Sequence, residues 1–141
     1  MTQPPVPHDV GRVFDAFAPP VRRRLIQVRK LIFTTASVCE GVGPLTESLK
    51  WGEPAYLTEE TGSGSTIRLG ALKDSERKCA VLFNCRTMLV ESFRERFPGE
   101  FEYRDNRALV LNVAGALPAR PLSICLSLAL TYHLRSRRSL T

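Results

Sequence analysis

The sequence predicts a single α+β domain, an antiparallel sheet of about five strands flanked by helices, in the order α-α-β-β-β-α-β-β-α. Three observations carry this. Two apolar stripes at helical spacing come first, ending near Cys39. Short segments with strand character follow, joined by brief polar turns; connections that short pair neighbouring strands antiparallel, whereas parallel pairing needs a long crossover. A last apolar stripe, Leu122 to His133, closes the chain at helical spacing. The composition agrees: 141 residues suffice for a hydrophobic core, and 43% hydrophobic with 24% charged residues is a globular balance.

Residues 1–7 are Pro-rich and are expected to be a disordered N-terminal segment, with the domain running from 8 to 136 and a basic tail at 137–141. Val10, Val13, Phe14 and Phe17 recur at i, i+3, i+4 and i+7, an amphipathic helix with Asp9 placed to cap it. Pro19-Pro20 ends it and opens a second helix, whose stripe is Val21, Leu25, Val28, Ile32, Ala36 and Cys39. Gly41 and Gly43 stop that helix. Leu45 to Leu49 reads as a single helical turn. Pro54 then pushes Glu53 to extended geometry, so a strand begins near Ala55.

Thr61-Gly62-Ser63-Gly64-Ser65 reads as a flexible turn. Thr66 to Leu72 alternates, with Ile67, Leu69 and Ala71 on one side. Cys79 to Asn84 is apolar on both faces, as a central strand would be. Thr87 to Phe97 reads as a helix with Leu89, Val90, Phe93 and Phe97 inward. Phe101–Arg104 and Ala108–Val113 form a hairpin around Asp105-Asn106. The last helix starts near Pro118 and Pro121 and packs on the sheet.

The start of the chain has no basic cluster followed by an apolar run, which argues against a secretory signal. No segment reaches the roughly 20 apolar residues of a membrane span. Four scattered cysteines, Cys39, Cys79, Cys85 and Cys125, form no C-x-x-C pair, so the expectation is free thiols in a cytoplasmic protein. Twenty Lys and Arg against fourteen Asp and Glu give a net charge of +6. That excess could draw anions, but no helix-turn-helix or RNA-binding signature accompanies it, which weighs against nucleic acid. Arg22-Arg23-Arg24 opens a helix, where positive charge opposes the macrodipole. Local acids such as Asp15, or a bound anion, would offset it.

The most unusual stretch is Lys50-Trp51-Gly52-Glu53-Pro54. Trp51 could be a shelf for a planar or cationic group, with Lys50 and Glu53 holding its polar ends, or it could plug the edge of the core. Cys85 stands between a strand end and a helix start, beside Arg86. That setting favours a thiolate, but no histidine can be placed beside it as a base. The same helix start, with Arg86 and Arg68, could hold a carboxylate or phosphate, and Arg107 is a further donor. Against this, these arginines could simply pair with Glu47, Glu53, Glu91 or Asp105. Gly62 to Thr66 lacks the Gly-Lys-Ser/Thr ending of a phosphate loop, and no His, Cys and carboxylate set has metal-ligand spacing.

Several strings are similar to those of the YdhG-like family of domains of unknown function. They are Glu47 to Leu57 (ESLKWGEPAYL), Thr61 to Arg68 (TGSGSTIR), Phe83 to Thr87 (FNCRT), Phe93-Arg94, Asn106-Arg107-Ala108 and Leu130 to His133 (LTYH). The likeness runs from about Val13 to His133. It implies a small α+β domain with an antiparallel sheet flanked by helices; the family has no general biochemical assignment. Some relatives look like frataxin and have been proposed as iron chaperones, which would need an acidic surface of oxygen ligands. Here the first helix has only Asp9 and Asp15, and the second is arginine-rich.

The resulting expectation is a non-enzymatic domain with no cofactor, binding a small ligand or an acidic segment of a partner. Lys50, Trp51, Glu53, Arg68, Cys85, Arg86 and Arg107 are its candidate site. The alternatives are thiol-dependent chemistry at Cys85, or a frataxin-like iron carrier.

Overall fold

Two helices lie against one face of a sheet because their apolar stripes have nowhere else to go. The computed structural model describes residues 3–139. Helices α1 (His8–Ala16) and α2 (Pro19–Val38) bury Val10, Phe14, Val21, Leu25, Val28 and Ile32. Strands β1 (Thr46–Lys50), β2 (Glu53–Leu57), β3 (Ile67–Leu72) and β4 (Ser75–Leu82) follow, then α3 (Leu89–Arg96). Strands β5 (Glu102–Arg104) and β6 (Ala108–Asn112) and helices α4 (Ala119–Leu130) and α5 (Tyr132–Ser139) complete the fold. All strand pairs are antiparallel, in the order β1-β2-β3-β4-β6-β5. The fold is α+β, with one strand more than expected. Met1, Thr2, Leu140 and Thr141 lie outside the described residues. No helix among those described is long and apolar enough to cross a membrane.

The extra strand is β1, read from sequence as a helical turn. Thr46, Ser48 and Lys50 alternate with Glu47 and Leu49, but Glu47 hides the period because it is a charged residue on the core side. Its carboxylate accepts from Arg29 Nε and Nη2 at 2.7 and 2.8 Å and from the Tyr56 hydroxyl at 2.8 Å. The Arg29 and Glu47 side chains are only 8% and 5% exposed, so the pair is viable because both charges are hydrogen-bonded. Burial, with Glu47 alongside, holds the Tyr56 hydroxyl far above its ordinary pKa. Arg29 also donates to the carbonyl of Pro4, tying residues before α1 to this network.

The arginines that open α2 are offset by backbone rather than by acids. Arg22 donates to the carbonyls of Phe14, Asp15 and Phe17, the last turn of α1, so Asp15 contributes its backbone and not its carboxylate. Arg24, 4% exposed, donates to Gln27 and to the carbonyls of Asn112, Val113, Ala114 and Gly115 after β6. Both are clamps of the fold.

The Gly-Ser segment is likewise built in, although the sequence reads as a flexible turn. Ser63 and Ser65 are buried. Ser65 N–H donates to the carbonyl of Ala129, Ser63 Oγ donates to that of Leu130, and the Ser63 carbonyl accepts from His133 N–H. A Cβ on Gly64 would meet the Leu130 carbonyl oxygen at 2.5 Å, so only glycine permits this approach. The docked loop satisfies the α4 terminus at Thr131 and starts α5. The last helix is therefore two helices, and His133, expected on the buried stripe, is exposed on the second. That second helix carries through Arg137, expected in the tail, whose guanidinium donates to the Gly62 carbonyl.

Helices cover one side of the sheet. Tyr56, Ile67, Leu69, Cys79, Val81, Leu109 and Leu111 point into the main core with the helices. The alternate residues Ala80, Ala108 and Val110 form a separate small cluster with only Leu72 and Leu82 beside it. Among the described residues no helix packs on that second face. Ala71, expected on the inner side of β3, is exposed where the register shifts between Ala71 and Leu72.

Candidate functional site

The turn from β1 to β2 is two residues long, Trp51 and Gly52, with φ of 55° and 75°. Two positive φ angles make a type I′ hairpin turn, which suits Asn-Gly and strains any bulky residue at its first position. Trp51 is 90% exposed. It does not plug the core edge, which removes one of the two roles its sequence allowed.

Beside this tip, Glu53 lies flat on the helix-free face. Its carboxylate sits over Gly70, where a Cβ would collide with Oε2, and its Oε1 accepts from Arg68 Nη1 at 3.0 Å. Burial raises the Glu53 pKa, and Arg68 and Arg107 pull it part of the way back. Arg68 stands opposite Ala55 on β2 and Leu82 on β4.

Arg68 borders a cleft of about 630 Å³. Its lining comes from the β1–β2 turn (Lys50 and Trp51), the start of β3 (Thr66 and Arg68), the β4–α3 connection (Phe83, Asn84 and Cys85) and the β5–β6 connection (Arg107). Of the seven sequence-predicted residues, five line the cleft: Lys50, Trp51, Arg68, Cys85 and Arg107. Glu53 abuts it through Arg68. Arg86 is exposed beside Cys85 and is not part of the lining. Among the described residues, the Lys50 side chain has no hydrogen-bond or ion-pair partner. The Arg107 side chain makes no hydrogen bond and acts on Glu53 through space. Three cations and no carboxylate line the cleft, and Glu53 beneath neutralises one of them. The arrangement can hold an anion.

The wall at Asn84 to Thr87 is a rigid turn. Asn84 Oδ1 accepts from Arg86 N–H, Thr87 Oγ1 donates to the Asn84 carbonyl, and Asn106 donates to the carbonyls of Cys85 and Thr87. Helix α3 begins at Leu89, two residues later than expected, and Leu89 N–H is already taken by Thr87 Oγ1. Cys85 therefore does not sit at a helix N-terminus, and the first turn of α3 does not open onto it as expected. Thr66 and Asn84 went unnoticed in the sequence; their only signal is that each flanks a strand end.

Cys85 is the exposed thiol of the four free cysteines. Neither His8 nor His133 lines the cleft. Burial pushes the Cys79 and Cys125 thiols up to about 12, which keeps both protonated and inert. A second cleft on the same face, about 550 Å³, has its lysine and one of its glutamates already joined as Lys78–Glu102 at 2.6 Å. Among the described residues no three His, Cys, Asp or Glu side chains are grouped to hold a metal ion.

Fold and site together define an α+β domain with a basic, aromatic-flanked cleft on an uncovered sheet face. No family model, no curated protein and no solved structure matches the chain.

Proposed function

We propose that this domain is a non-enzymatic binding module for an anionic ligand, held in the cleft between the β1–β2 turn and the β4–α3 and β5–β6 connections. One observation carries the reading. Lys50, Trp51, Arg68, Cys85 and Arg107 come from distant parts of the chain and line one cleft with an excess of positive charge. A cleft of about 630 Å³ is of the size that small-molecule sites occupy, roughly 300–1,000 Å³. Binding is favoured over catalysis because, among the described residues, no histidine or carboxylate lines the cleft with Cys85. The motif strings from Glu47 to His133 support reading the chain as a YdhG-like domain, and four free cysteines suit a cytoplasmic setting.

Trp51 is the single tryptophan of the chain, so its fluorescence reports on this site alone. Titration with small polyanions should give a saturable change that weakens with salt and is lost in the Lys50→Ser, Arg107→Ser double variant. An acidic peptide titrated in parallel tests a protein segment as occupant. If no small anion and no peptide gives a saturable change, the cleft is not an anion site. Thiol-dependent chemistry at Cys85 is the second reading, favoured by its exposure in the cleft. The alkylation rate of Cys85 against pH decides it, and a midpoint at the usual thiol pKa of about 8.5 would exclude an activated nucleophile.

A further inference from the structure

Trp51 is held where neither the core nor the turn needs it. Its backbone is in the left-handed region at φ 55°, which bulky residues avoid, and 90% of its surface faces solvent. Strained backbone that gains no packing is a mark of a functional position. Among the described residues the Lys50 side chain has no partner, and that of Arg107, in the same cleft, makes no hydrogen bond.

We propose that the ligand of this cleft is a planar aromatic anion: a flat ring carrying a phosphate or carboxylate. The ring stacks on the Trp51 indole, and the charged group lies between Lys50 and Arg107. The inference rests on the reading of the cleft as an anion site and names the class of ligand it takes. A cation over the indole is disfavoured because Lys50 and Arg107 repel it. An aliphatic anion would satisfy those cations and leave the indole unused. A strand of nucleic acid would need several stacking surfaces in succession. Trp51 is the only aromatic residue among the exposed large hydrophobics of the described chain, so the surface offers room for one ring.

The rest of the lining fits that assignment. Arg68 is held by Glu53 and already has its carboxylate partner. Asn84 uses its Oδ1 on Arg86 N–H, which leaves its amide NH₂ to meet an acceptor on the ring edge. Thr66 also lines the cleft.

Calorimetric titration of the full chain with adenosine monophosphate, phenyl phosphate, ribose phosphate and adenosine tests this. Ribose phosphate carries the anion without the ring, and adenosine the ring without the anion. Adenosine monophosphate or phenyl phosphate should bind at least about tenfold more tightly than ribose phosphate, the fold-change of one stacking contact. That difference should vanish in Trp51→Ser and partly survive in Trp51→Phe. Arg107→Ser should weaken the phosphates alike. Circular dichroism of each variant shows that it is folded. If ribose phosphate binds as tightly as the aromatic phosphates, the ring assignment is overturned and the anion site stands. If none of the four binds, both fall.

Discussion

Replacing Trp51 with asparagine should make the protein more stable while it removes the ring's shelf. The magnitude follows from the geometry of the β1–β2 turn. Holding an ordinary L residue in the left-handed region costs roughly 1–2 kcal/mol, most of which asparagine escapes by bonding its own backbone. Against this stands the packing that the indole gives up. With Trp51 90% exposed, one tenth of its surface is covered. Of roughly 250 Å² for a tryptophan that is about 25 Å², or about 0.6 kcal/mol at ~25 cal/mol per Å². The balance favours asparagine by about 0.5–1 kcal/mol. For a domain of this size that is a rise in Tm of about 2–4 °C. Urea and thermal unfolding followed by circular dichroism measure it, since the variant has no tryptophan to follow. Gly52, with φ 75°, should stay as it is, because the pair Asn-Gly is what a type I′ turn prefers. A loss of more than about 1 kcal/mol would refute the reasoning, because it would mean that Trp51 packs against the fold.

Other perturbations probe the parts that support the site. Gly64→Ala should cost about 1–3 kcal/mol in urea unfolding, because the new Cβ meets backbone oxygens of Ala129 and Leu130 that cannot swing aside. Glu47→Ala should cost about 3–5 kcal/mol by leaving Arg29 charged, buried and without its carboxylate. A loss below about 1 kcal/mol there would show that solvent reaches the pair. The Glu53 carboxyl is raised above the ordinary carboxylate range by burial, so the folded chain binds its proton at a pH where the unfolded chain does not. Its contribution to stability therefore falls as pH rises from the unfolded to the folded pKa, and levels off above. Protonation also frees Arg68. Affinity for an aryl sulfonate, whose own charge is constant, should rise as pH falls through that window, and Glu53→Gln should flatten the profile.

The mixed fold and most of its elements were legible because their side chains follow local periods. Val10 to Phe17 and Val21 to Ile32 are helical stripes, and Asp105-Asn106 sits in the turn of its hairpin with Asp105 at φ 53°. Five of the residues lining the cleft were legible as unusual, since Lys50-Trp51-Gly52 spells a shaped turn and Cys85-Arg86 stands at a strand end, whereas Thr66, Phe83 and Asn84 were not. What misled were residues whose partners lie far away in sequence. Glu47 obscured β1 because its stabilisation comes from Arg29, eighteen residues earlier, and from Tyr56 across the hairpin. Ser63 and Ser65 read as loop because their hydrogen bonds go to carbonyls at the end of α4. His133 read as core because the helix break at Thr131 depends on that same docked loop.

By itself the sequence determined one α+β domain, a cluster of polar residues at strand ends, and an excess of positive charge. Only the tertiary structure decided that Trp51 stands in solvent rather than over the core, and that Lys50, Arg68, Cys85 and Arg107 share one cleft. It also decided that Arg22, Arg24 and Arg29, as basic as any residue of the cleft, are spent inside the fold. The physical reason is the same throughout. Periodicity is a local property that a short stretch of chain displays, whereas burial and pairing of a charge are set by what the sheet brings beside it.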